Sequence, residues 1–464
     1  MLPDDVLIEI FDLYREEDED ENENEDDYPY VWGWNILVRV CRRWRQVVFA
    51  SPLRLDLKIL CKSGTPVRKN LGIWPALPIV IKYIDRRITN GDEDNIVTAL
   101  EHVDRVCKVW LGGRDSELER ISTAMRKSFP VLTDLRIWCD DAPVLPAEFL
   151  GGSAPRLQEI NLNGISFPAL LTLLLSTSDL VSLELYNIPP YGYISPEAMV
   201  VGLAALPSLH FFFFGFQSAT PRPDLIHPPP VTRTLLPALT DFYFKGASEY
   251  LEVLSSRIDA PHLGRIRIHY LNQLVDFQVS QLSRFIDRSL GPKLAPSKYA
   301  RITFHSRWVT FYMSHENSPY QGQLSTILNC QGIDSQVSHI AQVLSQFSTT
   351  LSHSAAVHLK IEVSTQWVCP TEGMDDVDWR HLLLQFSTTQ TLHVSRELAE
   401  NVALALEHMV AGAFPSLDLI FLEGQPASSV EKFLASCRSS GRLVTVVDPG
   451  TEFDERVESF YINE

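Results

Sequence analysis

Cysteine and histidine are the residue types in this sequence best suited to covalent or metal chemistry. Their spacing argues against both, because the cysteines never approach Cys-x-x-Cys spacing and a zinc site would have to assemble from distant residues. His353 and His358 form the histidine pair of most interest, and an isolated pair between a helix and a strand is usually ordinary surface. The cysteines stand at positions 41, 61, 107, 139, 330, 369 and 437.

The local sequence motifs of catalysis are missing as well. The chain has no Gly-rich phosphate loop, no dinucleotide fingerprint, no Gly-x-Ser-x-Gly elbow and no His-Glu-x-x-His. Cys41 lies on the apolar stripe of a predicted helix, where a thiol is expected to be buried and unreactive. The sequence therefore predicts a protein with no catalytic residues, no metal and no cofactor.

Composition and charge limit the classes of partner. A length of 464 residues exceeds one ordinary core, and 45% hydrophobic with 21% charged residues is typical of folded globular protein. The formal net charge of -18 disfavours nucleic-acid binding, which depends on Lys and Arg contacts to phosphates. About half of that charge lies in residues 15–27, where ten carboxylates accompany one arginine and predict a disordered loop or an acidic docking segment.

The compartment follows from the start of the chain and from its cysteines. The first residues lack a signal peptide, and no apolar stretch reaches the roughly 20 residues needed to cross a bilayer. An odd number of scattered cysteines suits free thiols in a reducing compartment. We expect an intracellular protein, cytoplasmic, nuclear or both, with no membrane partner.

Two amphipathic helices are predicted in the first sixty residues. Pro3 and two following carboxylates favour a helix start, and an apolar stripe then continues at helical spacing to Tyr14. After the acidic segment, apolar residues from Leu37 to Val48 repeat this spacing between arginines, and Ser51-Pro52 ends the second helix. Two short helices bury too little surface to be stable alone, so part of their apolar surface is expected to bind a partner or the rest of the chain.

These residues resemble the F-box, whose pattern opens with Leu-Pro and closes on Val-Cys-Arg-x-Trp-Arg before Ser-Pro. The segment that follows, from Leu55 to Ile79, looks like the one found after the F-box in many basidiomycete fungal proteins. One departure is the long acidic junction between the two helices, which either weakens docking or bulges outward. The matched residues are Leu2, Pro3, Leu7, Ile10, Phe11, Val40, Cys41, Arg42, Arg43, Trp44, Arg45, Val48, Ser51 and Pro52.

The resemblance implies binding to a Skp-type adaptor and, through it, to a cullin-type ubiquitin ligase. Carried over residue by residue, the role of adaptor contact falls on nine positions, of which Cys41 and Trp44 fit internal packing equally well. The nine positions are Leu2, Pro3, Leu7, Ile10, Phe11, Leu37, Val40, Cys41 and Trp44.

A repeated motif dominates the rest of the chain. The template Pro-x-Leu-x-x-Φ-x-Φ, where Φ is apolar, recurs with leading leucines at positions 132, 157, 180, 209, 239 and 263, although position 180 lacks the proline. These intervals lie close to the leucine-rich-repeat range of roughly 20 to 29 residues. The template returns at Pro415, and between 270 and 410 only weaker copies remain, at 302–304, 359–361 and 392–394. We expect insertions near 314–323 and 369–378, helices at 335–351 and 396–411, and a last strand near 443–447.

The fold class predicted is α/β: a small all-α F-box module followed by an irregular leucine-rich-repeat solenoid with a curved parallel sheet. Its parts are the F-box module at 1–60 with an acidic insert at 15–33, a connecting or capping segment at 61–104, and the solenoid at 105–464. Each Φ-x-Φ would be a strand whose Φ side chains point inward, so the residues between them face the concave side.

A target site is predicted on that concave side. Aromatic residues with arginine have the composition of protein-binding hot spots, and we expect Tyr186, Phe213 and Tyr243 at the centre. The alternative is that Phe211 to Phe214 form a fully buried strand covered by a loop. A phosphate on the target would suit Arg136, Arg265 and Arg267, so a need for phosphorylation stays open. The predicted target-binding residues are Arg136, Trp138, Tyr186, Phe213, Tyr243 and Arg267.

The function predicted from the resemblance is that of a non-catalytic substrate receptor of an SCF-type ubiquitin ligase. Such a receptor raises the local concentration of the target lysine near the charged conjugating enzyme. The alternative is a repeat-protein scaffold whose F-box-like end serves assembly without ubiquitin transfer. The sequence does not identify the target protein.

Overall fold

The computed structural model shows a mixed α/β protein with a large, mostly parallel sheet. It describes residues 2–16, 33–73, 77–83, 88–219, 232–271, 279–294, 298–315, 323–330, 333–347, 357–364, 376–409, 411–424 and 430–447. The chain divides into two compact units, described separately below. The first comprises residues 1–137 and 148–154, and the second comprises 138–147 and 155–464.

Three helices open the first unit. They are α1 (Asp4–Glu16), α2 (Gly33–Val40) and α3 (Arg42–Ala50). The predicted start of α1 is confirmed, since the Leu7 amide donates to the Pro3 carbonyl at 3.2 Å. The end before Ser51-Pro52 is confirmed too. Residues 15, 16 and 33 of the predicted acidic insert belong to α1 and α2, and residues 17–32 lie outside the described part of the chain.

The prediction of one continuous helix from Leu37 to Val48 is wrong. Cys41 interrupts it with an extended backbone, φ -160° and ψ 171°, and becomes the N-cap of α3. Its sulfur accepts the Trp44 amide N–H at 3.5 Å. Apolar spacing continues across the break because both helices bury the same kind of stripe, so periodicity alone did not reveal it.

The remainder of the first unit is a small parallel sheet with its own helices. Strands β1 (Ile59–Cys61), β2 (Ile79–Tyr83) and β3 (Val106–Gly113) pair in parallel, and β4 (Asp134–Cys139) begins beside β3. Helices α4 (Val67–Ile73), α5 (Asn90–Leu100) and α6 (Asp115–Ala124) connect them. The predicted connecting segment 61–104 contains β2, which pairs directly with β3.

The second unit continues with parallel strands whose alternation confirms the repeated template. Consecutive strands pair with one another, and in each the Φ side chains are buried while the intervening ones are partly exposed. The leading leucines are also buried, at Leu157, Leu180, Leu209, Leu239 and Leu263. The strands in spatial order are β5 (Glu159–Asn163), β6 (Ser182–Ile188), β7 (Phe211–Phe216), β9 (Asp241–Gly246) and β11 (Arg265–Tyr270).

A chain of backbone hydrogen bonds fixes the register just before these strands. The Val181 amide donates to Gln158, His210 to Val181, and Thr240 to His210, each over 2.8 to 2.9 Å. The residue after each leading leucine thus occupies the same position in its repeat and bonds to its counterpart in the next. Two short strands, β8 (Thr234–Leu235) and β10 (Ile258–Asp259), pair separately in parallel.

In the described part of the chain, helices follow β5, β6, β9 and β11 and pack against one another in sequence. They are α7 (Leu170–Leu174), α8 (Pro196–Ala204), α9 (Ser248–Arg257), α10 (Ser280–Ser289) and the short α11 (Gly291–Leu294). Their apolar residues cover the buried side of the strands: Tyr250 of α9, for example, is stacked on Phe244 with ring centroids 5.8 Å apart. The core of the unit therefore lies between the strands and the helices.

The weak copy expected at 302–304 lies in a strand with Ile302 and Phe304 buried, whereas the two strands that follow it were not expected. β12 (Tyr299–Phe304), β13 (Trp308–Ser314) and β14 (Leu324–Asn329) form an antiparallel meander. β14 pairs in parallel with β11, and β12 pairs in parallel with the later strand β15 (His358–Val363). The template missed β13 and β14 because it describes one strand per repeat.

The predicted elements beyond the meander are confirmed where they are described. α12 (Ile333–Gln346), α13 (Asp376–Leu384), α14 (Arg396–Glu407) and α15 (Glu431–Ser439) accompany β15, β16 (Thr391–Val394), β17 (Leu419–Leu422) and β18 (Thr445–Val447). These four strands pair in parallel in that order. Most of the predicted insertions, at residues 316–322 and 369–375, lies outside the described residues.

A substitution at Gly164, just after β5, can test how closely the backbones of neighbouring strands approach each other. Its φ is +70°, and a Cβ at this position would overlap the Cys139 carbonyl oxygen. Gly441 has a similar φ of +76° with nothing within 4 Å of such a Cβ, so it isolates the backbone cost, about 1 kcal/mol. Gly164→Ala should lower the free energy of unfolding by at least about 2 kcal/mol more than Gly441→Ala, measured by urea denaturation. Equal losses would contradict the close packing.

Candidate functional site

The predicted adaptor residues fall into a buried and an exposed set. Leu7, Phe11 and Leu37 are 6% exposed or less, and Phe11 packs on Trp44 with ring centroids 5.0 Å apart. The prediction that these three residues contact the adaptor directly is corrected, because in this fold they are buried and hold the helices together. Leu2, Ile10 and Val40 are exposed, as are Pro3 and Cys41, while Trp44 is half-buried. The exposure of Cys41 also corrects the expectation of a buried thiol.

Further exposed apolar side chains extend the exposed set. Val6, Ile10 and Leu13 are spaced as i, i+4 and i+7 on one side of α1, and Ile36 and Val40 are four residues apart on α2. Leu13, with 68% exposure, is the most open of them. We call this set, which includes Leu2 just before α1, the exposed apolar residues of α1 and α2: Leu2, Val6, Ile10, Leu13, Ile36 and Val40.

The arginines of the matched motif hold these helices in place. The Arg43 guanidinium lies 2.6 Å from Asp4 Oδ1 and also donates to the Leu2 carbonyl. Arg45 Nε donates to the Val38 carbonyl at 3.0 Å. Arg43 therefore ties the start of α1 to α3, and Arg45 ties α3 to α2. Spacing alone gave no sign of these roles, since charged residues between apolar ones also occur on any solvated helix surface.

Four predicted target residues of the second unit meet on the partly exposed side of the strands. The Tyr186 and Phe213 ring centroids are 3.9 Å apart, and those of Phe213 and Tyr243 are 6.1 Å apart. The Arg267 guanidinium lies over the Tyr243 ring, 5.1 Å from its centroid. We call this set, Tyr186, Phe213, Tyr243 and Arg267, the aromatic row. The alternative of a fully buried strand is wrong for Phe211 and Phe213, which are partly exposed.

Polar groups surround the aromatic row and hold its first member. The Tyr186 hydroxyl donates to Glu184 Oε2 at 2.6 Å, and that carboxylate also accepts from Asn161 at 3.2 Å and Ser182 at 3.1 Å. Burial and the Glu184 carboxylate raise the pKa of Tyr186 well above its ordinary value. Tyr186 is therefore a neutral donor fixed to a carboxylate at physiological pH.

The two remaining predicted target residues lie earlier in the chain. Arg136, in the first unit, lies over the Trp110 ring at 4.5 Å from its centroid and pairs with Asp134 at 3.1 Å. Lys82 and Lys108 approach the same ring at 5.2 and 5.7 Å. Trp138 is half-buried on β4 in the second unit.

Two kinds of feature, a metal-binding cluster and a membrane-spanning helix, are absent from the described residues. Among them, no group of three or more His, Cys, Asp or Glu side chains is arranged to hold a metal ion. Within the same ranges, no helix is both long and apolar enough to span a bilayer. His358 is half-buried and stacks on Tyr299, whereas His353 lies outside the described residues.

No protein-family model matches the chain, and no curated protein matches its sequence. Functional inference therefore rests on the two surfaces above.

The Tyr186 hydroxyl provides a test of the polar support of the aromatic row. Tyr186→Phe removes one hydrogen bond to Glu184 and should lower the free energy of unfolding by about 1 kcal/mol, since the carboxylate keeps two other donors. Tyr243→Phe is the matched control, because among the described residues the Tyr243 hydroxyl accepts just one hydrogen bond, a long one of 3.4 Å from Arg265. Chemical denaturation measures both. A larger loss for the Tyr243 variant would contradict the assigned roles.

Proposed function

We propose that this chain is the substrate-recognition subunit of an SCF-type cullin ubiquitin ligase. Helices α1 to α3 act as an F-box that binds a Skp-type adaptor, and the strands of the second unit form a leucine-rich-repeat-like solenoid that holds a target protein. The protein works inside the cell, in the cytoplasm or nucleus, and is not itself an enzyme.

The observation that carries this proposal is the exposure of apolar residues on α1 and α2. Exposed apolar side chains placed singly are ordinary, but five on two short helices, with Leu2 just before the first helix, are what a docking surface requires. Burying a side chain such as Ile10 or Leu13 against a partner contributes roughly 1.5 to 3 kcal/mol. The motif match supports the identity of that partner as a Skp-type adaptor.

The aromatic row supports target binding on the second unit. Tyrosine, phenylalanine and arginine supply large contact areas with few rotatable bonds, which is why they dominate binding hot spots. Phe213 and Tyr243 are only partly exposed, so they are already held in position before a target arrives. Ubiquitin transfer then depends on position: the receptor holds the target lysine near the charged conjugating enzyme.

The adaptor interface is tested by charge substitution on the exposed residues. The double variant Ile10→Asp/Val40→Asp should weaken binding to a purified Skp-type adaptor at least about tenfold, because two apolar contacts would become buried carboxylates. Isothermal titration calorimetry or size exclusion of the co-expressed pair measures the effect. Circular dichroism should remain that of the parent, since both residues are exposed.

A matched control separates the surface from the substitution. Leu404 is an exposed leucine of α14 in the second unit, 46% exposed against 42% for Ile10. Leu404→Asp should leave adaptor binding unchanged. Unaltered binding by the double variant would exclude this surface, and failure of the parent protein to bind the adaptor would exclude the receptor function.

A further inference from the structure

Lys245 is a half-buried cation with no anionic partner in the described chain. Its Nζ donates to Asn187 Oδ1 at 2.8 Å, and no carboxylate among the described residues forms an ion pair with it. Burial lowers the pKa of Lys245 below its ordinary value. An ammonium removed from water without a counter-charge is costly, so such a position favours a ligand that supplies the charge.

The surroundings of Lys245 are neutral and hydrogen-bonding. Asn187 extends this hydrogen-bond chain, since its Nδ2 donates to Asn163 Oδ1 at 3.0 Å. Asn187 holds a left-handed backbone with φ +49°, an unfavourable conformation that Asn tolerates better than most residues. His269 is the register partner of Lys245 on β11, and its Nε2 lies 2.8 Å from Asn329 Oδ1 on β14.

An aromatic wall adjoins this group. Gly215 is the register partner of Lys245 on β7, and a Cβ there would meet the Phe213 ring at 2.8 Å and the Lys245 Cβ at 3.3 Å. The ring of Phe213 therefore covers the backbone beside Lys245. An apolar wall lowers the local dielectric and strengthens any charge pair formed by the ammonium.

From this placement we infer that Lys245, with the Phe213 ring beside it, binds a carboxylate of the target polypeptide, an Asp or Glu side chain that neighbours an apolar one. The inference rests on the proposed function, because it specifies what the target surface recognises. The acidic side chain forms a charge-assisted hydrogen bond to Lys245, and its apolar neighbour packs on the aromatic row.

The charge of the ligand follows from the neighbouring arginines. Arg265 already pairs with Asp241 at 3.3 Å, and Arg267 lies over the Tyr243 ring. Among the described residues here, Lys245 offers one ammonium, which suits a singly charged carboxylate, whereas a phosphoryl group, close to two negative charges at neutral pH, needs more cations. The phosphate recognition left open by the arginines in the sequence is thus the less favoured choice.

His269 reports on the charge at Lys245. Burial is the main cause that lowers the pKa of His269; the Lys245 charge lowers it further, and the hydrogen bond with Asn329 opposes both. A carboxylate bound to Lys245 would offset that charge, so the His269 pKa should rise. Lys245→Met should raise it as well, whereas Lys432→Met, which removes an exposed lysine of α15, should not.

The experiment uses the full chain with labelled histidine and follows the His269 imidazole by NMR. The probes are N-acetyl-Phe-Glu-amide, its Gln counterpart and its phosphoserine counterpart. The Glu probe should shift the His269 signal until binding saturates, and the Gln probe should leave the signal unchanged. The Lys245→Met variant should bind the Glu probe about tenfold more weakly than the parent chain does. Lys432→Met should bind the Glu probe as the parent does.

Each other outcome overturns the inference. Equal binding of the Glu and Gln probes to the parent chain would exclude the carboxylate, whatever the folding of the variants. Tighter binding of the phosphoserine probe would replace carboxylate by phosphoryl recognition. The peptide measurements need no adaptor and can therefore fail independently of adaptor binding. If the chain binds the adaptor but not the Glu probe, only the Lys245 site is excluded. If the chain binds the Glu probe but not the adaptor, only the receptor function is excluded.

Discussion

The alternation of buried and partly exposed side chains along parallel strands is the constraint on which the second unit depends. In β5, β6, β7, β9 and β11, the Φ residues and leading leucines fill the space under the helices. Because the side-chain period of a strand is two, a shift of one residue would move every Φ side chain out of the core. The series of backbone hydrogen bonds from Val181 to Thr240 fixes that register. The aromatic row and Lys245 gain their fixed positions as a consequence.

The first unit depends on a different constraint, because its three short helices bury too little apolar surface to be stable alone. Leu7, Phe11 and Leu37 are among the buried side chains of these helices, and Arg43 and Arg45 join the three helices through a carboxylate and backbone carbonyls. The apolar residues left outside cannot contribute to this packing. A partner that covers them would add the stability that the helices lack by themselves.

Repeated patterns could be predicted from the sequence, and local exceptions could not. The strands of the template, the helix at Arg396 and the last strand near Thr445 follow from periodicity, which reports burial directly. The break at Cys41 depends on one backbone conformation, and periodicity passes through it unchanged. The β13 strand reverses direction, which no spacing of apolar residues encodes. The same limit applied to the site: the aromatic row was predicted, but the contacts of Arg43 and of Lys245 became visible only in the fold.

The most direct test of the receptor account is assembly with both an adaptor and a cullin. Analytical ultracentrifugation of the full chain, mixed with a purified Skp-type adaptor and a cullin, should show one complex that contains a single copy of each protein. A complex of chain and adaptor that excludes the cullin would contradict ubiquitin transfer and favour an assembly scaffold. If the folded chain sediments alone in this mixture, bound to neither protein, the F-box assignment itself would be contradicted.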